Sequence, residues 1–252
     1  MPGLVHAFIF WGFIVLLPTI LMAMIAAVRP SAELPWLGHL DWFGWMVDIF
    51  CVLVLVGVVS AVVIRKVVRP ERFRGSHLGE ADFILFMIAG VVTTLLLWHA
   101  SAYEAGLAPH VGPISKAIAP IFPDHGNANR VFLWAHLVFV LAFLRYIPQS
   151  KHLHIATAPF NVWSARTGAR GRLEPLRFDV PEEEMRFGVA TTADLTRKQV
   201  LDAFSCTECG RCQDACPAYA TGKVLSPKLL IMGVRDQVFA DSAGPIVGEG
   251  VP

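Results

Sequence analysis

The sequence predicts an all-α membrane bundle of four transmembrane helices, followed by a small cytoplasmic segment that carries cysteines. Three observations predict it. Of 252 residues, 55% are hydrophobic and only 16% charged, whereas a soluble domain has roughly 25% charged residues. Four apolar stretches, near 4–28, 45–68, 81–103 and 131–147, approach or exceed the about 20 helical residues that cross hydrocarbon. Four of the five cysteines fall within eleven residues, from Cys206 to Cys216. The net charge of +1 excludes little, but its distribution orients the chain. No nucleotide loop is present, and no nucleic-acid partner is expected.

The first helix, Leu4–Val28, lacks the basic start of a signal peptide and ends at Arg29-Pro30 without a small-residue cleavage site. It reads as a retained span, bent at Pro18. A short link with Trp36, Trp42 and Trp45 follows, and tryptophan prefers the headgroup level. Helix two carries Cys51, read as a small buried hydrophobe. The next link, Arg65 to Arg74, holds five basic residues against one glutamate. The positive-inside rule places it in the cytoplasm. The N-terminus and everything after helix four then lie on that side of a bacterial or archaeal plasma membrane, in a multi-pass topology. Reduced cysteines agree with a cytoplasmic location. Residues 1–155 form the expected membrane domain. Residues 156–198 read as a cytoplasmic linker, with Arg166, Arg170, Arg172 and Arg177 suited to anionic headgroups or a partner surface. Thr196-Arg-Lys-Gln199 is a capping box for a helix over 197–204, which leads into the last segment, 199–252. Ser226-Pro227 reads as the start of a second helix, to about Phe239.

The cysteines form Cys206-Thr-Glu-Cys209-Gly-Arg-Cys212-Gln-Asp-Ala-Cys216-Pro217, the C-x2-C-x2-C-x3-C-P run of bacterial ferredoxins. Short loops keep four thiolates near one cubane, so Cys206, Cys209, Cys212 and Cys216 are the expected ligands of a [4Fe-4S] cluster in a ferredoxin-like segment. A zinc site is the alternative, but zinc more often draws on two distant C-x2-C pairs. In two-cluster ferredoxins the cysteine before the proline ligates the other cluster. Cys216 therefore either closes this cluster or serves a second one.

Depth sorts the histidines into two levels. His6 begins helix one, and His152 and His154 follow helix four, on the cytoplasmic side. His99 and His136 lie near the outer ends of helices three and four. Intramembrane histidine usually faces the bundle interior with a function, and two imidazoles at one depth suit the axial positions of a b-type haem. The expectation is an inner haem on His6 with His154 (or His152), and an outer haem on His99 with His136. The alternative is that these are structural histidines bonded across the bundle. His77 and His39 have no partner that the sequence names. Trp98, His110 and Lys116 are quinone-site candidates by position alone.

The membrane half resembles the nitrate reductase gamma subunit, a dihaem cytochrome b. The likeness rests on Leu4-Val5-His6-Ala-Phe-Ile-Phe-Trp-Gly12-Phe, Ala135-His136-Leu137-Val138 and Lys151-His152-Leu153-His154-Ile155-Ala-Thr-Ala-Pro159. It implies haem ligation by His6, His154 and His136. The family's second histidine, ten residues after the first, is Leu16 here, and its usual first helix is absent. The C-terminal half, with Leu201-Asp-Ala-Phe-Ser-Cys206, Cys216-Pro217-Ala, Thr221-Gly-Lys and Leu225-Ser-Pro-Lys228, resembles membrane-bound (Fe-S)-binding reductases. These are related to heterodisulfide reductase and to the electron-transfer-flavoprotein:quinone oxidoreductase of the membrane. That resemblance implies an N-terminal portion of a longer protein, with a second cysteine run and a cysteine-rich catalytic domain beyond it.

The resulting expectation is part of a quinone-linked oxidoreductase. Electrons would pass between a cytoplasmic flavoprotein or cysteine-rich redox domain and the membrane quinone pool, through a [4Fe-4S] cluster and one or two b haems. Two rivals remain at this level: a haem-free membrane anchor of an iron–sulfur protein, and the membrane subunit of a heterodisulfide-reductase-like enzyme.

Overall fold

A computed structural model describes residues 2–30, 32, 34–122, 127–169, 176, 178–182, 185 and 188–242. The chain forms two compact units. One comprises residues 1–70 and 78–146, the other residues 71–77 and 147–252.

The first unit holds four long helices. They are α1 (Pro2–Val28), α2 (Asp41–Val63, prolonged by a π-helical turn over Ile64–Val68), α3 (Leu78–Glu104) and α5 (Asn127–Tyr146). A short α4 (Pro113–Ile118) lies in the α3–α5 connection. The four long elements include spans of 26, 28, 27 and 23 residues with mean hydropathy 2.4, 2.9, 2.1 and 1.8. At 1.5 Å per residue even the shortest is about 34 Å long, enough for a hydrocarbon core of about 30 Å. Helix α1 packs on α2 and α3 packs on α5, with α2 against α3 joining the pairs.

The reason for this architecture is residue distribution. Helix α1 is apolar all round. Phe10, Trp11, Ile14, Leu17 and Leu21 stay exposed while Leu16, Ala23 and Ala26 are buried. A helix apolar on every side belongs in a core or in lipid. Small residues then let backbones approach closely. A Cβ on Gly12 would stand 2.0 Å from Val54 Cγ2, and one on Gly57 would stand 3.2 Å from the Val5 carbonyl oxygen. Thr19 and Thr94 direct their hydroxyls back to the Leu16 and Gly90 carbonyls, each at 2.6 Å, so neither leaves a bare donor among apolar neighbours. Cys51 is fully buried in this core.

One polar clamp ties α2 to α4. The Asp48 carboxylate is fully buried and accepts hydrogen bonds from the Ser115 backbone N–H at 2.8 Å and the Ser115 hydroxyl at 2.6 Å. That N–H belongs to the first turn of α4, where no intrahelical acceptor exists. The approach requires glycine twice. A Cβ on Gly44 would meet the His110 carbonyl oxygen at 2.1 Å, and one on Gly112 would meet Asp48 Oδ2 at 2.3 Å.

The second unit carries α6 (His154–Trp163), α7 (Arg197–Phe204), α8 (Arg211–Asp214), α9 (Pro217–Ala220) and α10 (Pro227–Ser242). The capping box forms as its sequence dictates. The Thr196 hydroxyl accepts from Gln199 N–H, and the Gln199 side chain accepts from Thr196 N–H at 2.8 Å. The Ser226 hydroxyl accepts the Leu229 N–H at 3.3 Å ahead of α10. Phe204 and Phe239 meet edge to face at 4.8 Å and pack α7 on α10.

The four-helix, all-α bundle matches the fold class expected from sequence, but the ferredoxin-like segment is corrected. Among the described residues there is no β-strand, so no ferredoxin-type sheet surrounds the cysteines. The residues between them explain it. None of the alternating apolar pattern that a half-buried strand needs occurs from Cys206 to Ser226. Gly210 turns the chain through a left-handed φ of 74° into α8, and Pro217 opens α9. The linker arginines Arg170, Arg172 and Arg177 lie outside the described residues; Arg166 is exposed.

Candidate functional site

The cysteine run of the second unit lies on turns set by two left-handed residues. Glu208 has φ 58° and Gly210 φ 74°. The thiols of Cys209 and Cys212 are exposed, those of Cys206 and Cys216 half-buried, and all are free. Glycine at 210 is required twice over. Its left-handed φ disfavours a side chain, and a Cβ there would stand 2.6 Å from the Arg72 carbonyl oxygen. Left-handed backbone alone costs a non-glycine roughly 1–2 kcal/mol. Gly210→Ala is therefore expected to loosen the Cys209–Cys212 turn. Faster alkylation of both thiols, with the four spans still membrane-inserted, is the expected readout; unchanged alkylation rates would contradict it.

Glu208, between Cys206 and Cys209, anchors the turn. Its side chain is 1% exposed. The carboxylate accepts from Lys151 Nζ at 2.9 Å, Arg235 Nη2 at 2.9 Å and the His77 backbone N–H at 2.8 Å, and His77 Nδ1 lies 3.0 Å away. Burial raises the Glu208 pKa, but the hydrogen bonds from Lys151, Arg235 and His77 outweigh it and hold the group down at about 2. A third buried cation braces the loop over 71–77. Lys228, wholly buried, donates to the Arg72 carbonyl at 2.9 Å, the Arg74 carbonyl at 2.6 Å and the Ser76 hydroxyl at 2.9 Å. Its pKa is lowered by burial, which outweighs the neighbouring Glu208. Burial likewise pushes the Cys206 thiol up, with Arg235 opposing. Arg235 keeps its charge, because the Glu208 and Asp236 carboxylates offset its burial and raise its pKa.

Sequence reasoning missed this ion network entirely. His77 had no partner there, Lys151 and Lys228 entered only within the motifs of the resemblances, and Arg235 was not singled out. The available signals were a glutamate inside the cysteine run and a lysine directly after the Ser226-Pro227 helix start.

The expected cofactors are corrected. Among the described residues, the group of His, Cys, Asp and Glu donor atoms that gathers within 4.8 Å includes Glu208 and His77 and contains no cysteine. No three of the sulfurs of Cys206, Cys209, Cys212 and Cys216 close to that distance, so the expected cysteine-held [4Fe-4S] cluster has no preformed donor set. No haem-binding histidine pair gathers there either, and the expected b haems fall with it. The His6 ring stacks on Phe10 of its own helix at 6.3 Å. His154 Nδ1 bonds the Lys151 carbonyl at 3.1 Å, and its ring lies edge-on to His152. In the first unit, His136 Nδ1 bonds the Val91 carbonyl at 3.0 Å and stands 3.2 Å from the Thr94 hydroxyl. That bond joins α5 to α3. His99 and His136 are both buried and flank Trp98, with ring centroids 5.1 and 6.0 Å from the indole. His99 Nδ1 and His136 Nε2 have no hydrogen-bond partner among the described residues. Of the position-based quinone candidates, Trp98 is buried, His110 pairs with Asp41 at 2.9 Å and Lys116 sits over the Tyr103 ring at 5.5 Å.

Comparison with known proteins adds the chemistry that such a chain accompanies. It is 33% identical over 248 residues to the probable iron-sulfur-binding oxidoreductase FadF of Bacillus subtilis, covering 94% of this chain and 34% of that protein. It is 30% identical over 256 residues to the EtfAB:quinone oxidoreductase of Syntrophomonas wolfei, covering 92% of this chain and 34% of that one. The chain is thus similar along most of its length to portions of two oxidoreductases, and four of its helices are long and apolar enough to cross a membrane. A shorter match, 39% identical over 91 residues, joins 36% of it to 14% of a probable membrane-anchored ferredoxin of Chromohalobacter salexigens. The chain spans about one third of the length of the two relatives it matches along most of its own length. No protein-family model matches it, and no solved structure does.

Proposed function

We propose that this chain is the haem-free membrane anchor of an iron–sulfur oxidoreductase. The longer protein to which it corresponds would pass electrons between a soluble flavoprotein and the quinone pool of a bacterial membrane. The observation that carries the reading is a combination within one chain. Four spans are joined to a thiol-bearing unit braced by buried ions, and the alignment to two oxidoreductases runs through both.

In this reading the bundle attaches the protein to the bilayer, and His136 serves as an interhelix contact through its bond to the Val91 carbonyl. Residues 1–155 are the membrane domain and 199–252 the electron-transfer segment. The basic link over 65–74 keeps the N-terminus and the cysteine-bearing unit on the cytoplasmic side. Cys206, Cys209, Cys212 and Cys216 are the thiolate donors that this portion offers to a metal in the assembled protein. Such donors act as thiolates; at Cys206 burial disfavours that form and Arg235 opposes the burial.

A reduced-minus-oxidised visible spectrum of the anaerobically purified membrane protein tests the anchor role. The expected result is no α-band of a b-type cytochrome and no extractable haem. One stoichiometric haem per chain would overturn the haem-free reading and return a pair of the chain's histidines to ligand status. The electron-transfer role is tested separately in the longer protein. Cys209→Ser or Cys212→Ser is expected to abolish quinone reduction by a reduced electron-transferring flavoprotein, with membrane insertion retained. Undiminished turnover in both variants would remove these thiols from the path.

A further inference from the structure

Helix α6 is amphipathic the wrong way round for a water-facing helix. Ala156, Pro159, Phe160 and Trp163 lie at i, i+3, i+4 and i+7, one face of a helix, and all four are exposed. Phe160 is 68% exposed and Trp163 91%, with Val162 beside them at 75%. The polar residues point into the protein instead. Thr157 and Asn161, one turn apart, face α7. Ser205 donates to the Thr157 hydroxyl at 3.2 Å, the Thr157 hydroxyl lies 3.4 Å from the Phe204 carbonyl, and Lys198 donates to Asn161. The unit spends its hydrogen-bonding face on its own interior and presents the apolar face outward.

We propose that α6 is an interfacial helix whose Phe160–Trp163 face lies in the headgroup layer of the membrane that the same chain spans. Chain reach supports the membrane as the occupant. The fourth span ends at Gln149 and α6 begins at His154. Five residue steps cover about 18 Å at most when fully extended, so α6 starts close to the bilayer surface whatever path the link takes. The side-chain chemistry agrees. Tryptophan at a helix end prefers the headgroup level. Arg166, exposed three residues later, has the charge that anionic lipid attracts. An apolar helical face beside a basic residue is the pattern of helices that lie on a membrane rather than cross it, and ten residues are too few to cross.

The test uses the full chain reconstituted in vesicles of phosphatidylethanolamine and phosphatidylglycerol. The fluorescence difference between wild type and Trp163→Phe isolates the Trp163 signal from the other tryptophans. Lipids brominated near the top of the acyl chain are expected to remove most of that difference signal, while aqueous iodide leaves it intact. Ready quenching by iodide would overturn the proposal by placing the face in water. Protection from both quenchers would also overturn it, by showing a second copy or a soluble partner over the face. Stronger quenching by deep bromines than by shallow ones would refute the interfacial position. Phe160→Trp in the Trp163→Phe background repeats the measurement from the same face, should the first signal be too weak to resolve.

Discussion

Replacing Glu208 by alanine is expected to destabilise the cysteine-bearing unit by about 3–5 kcal/mol, the typical cost of leaving buried charges unpaired. The carboxylate is the common acceptor for Lys151, Arg235 and the His77 backbone N–H, at 2.8–2.9 Å. Its removal takes the buried carboxylate from two cations whose side chains are each 6% exposed, leaving Arg235 with Asp236 and Lys151 with the His77 carbonyl. Glu208→Gln keeps an acceptor but loses the charge, so its effect should fall between alanine and wild type. The same network sets a pH dependence. The folded-state pKa of Glu208 is depressed from an ordinary 4.5 to about 2. A depressed carboxylate contributes stability that is present above its unfolded value and lost as pH falls towards the folded one. The gap corresponds to about 3 kcal/mol. Hydrogen exchange of residues 197–242, corrected for intrinsic rates, should therefore accelerate between pH 4.5 and about 2 in wild type. Glu208→Gln should lack that acid step. An identical profile in the variant would show that another group controls the unit.

Asp48→Ala is expected to release α4 from α2 while leaving the four spans inserted. The substitution leaves the Ser115 backbone N–H and hydroxyl without their acceptors, and each buried unsatisfied donor costs about 1–3 kcal/mol. The expected loss is about 2–4 kcal/mol, read as lost amide protection confined to residues 107–119 and a lower unfolding temperature in detergent. Asp48→Asn retains an acceptor and should recover part of the loss. Gly112→Ala should reproduce the defect without touching the carboxylate chemistry, because its Cβ would occupy space 2.3 Å from Asp48 Oδ2. Unchanged protection in Asp48→Ala would mean that apolar packing alone seats α4.

These two residues show where sequence reading stops. The spans were legible because an apolar run of membrane length has one stable outcome in hydrocarbon, where every backbone group must bond within the helix. The Thr196–Gln199 capping box was legible for a similar reason: its partners lie three residues apart, and local geometry suffices. Asp48 and Ser115 stand 67 residues apart, and Glu208 and His77 stand 131 apart. No local pattern announces such pairs. Neither carboxylate is marked out by its sequence neighbours, and only chain folding supplied their donors.

The cysteine run makes the complementary point. Its spacing is local, so it identified the thiols, but spacing does not determine the surrounding architecture. The ferredoxin-type sheet expected from it is absent among the described residues, where the chain turns into α8 and α9 instead. Depth along the helices placed His99 and His136 at one level, yet depth says nothing of what each ring nitrogen meets. The bond from His136 to the Val91 carbonyl depends on how α5 is rotated against α3.

By itself, then, the sequence determined the membrane-spanning helices, their number and the position of the thiols, because length, hydropathy and spacing are properties of contiguous residues. Only the tertiary structure decided that Glu208 is a buried ionic anchor, that Asp48 caps α4, and that α6 turns its apolar face outward. Each of these depends on which side chains distant segments bring to the same place, and the free energy of a buried charge or an exposed apolar face is a property of that surrounding.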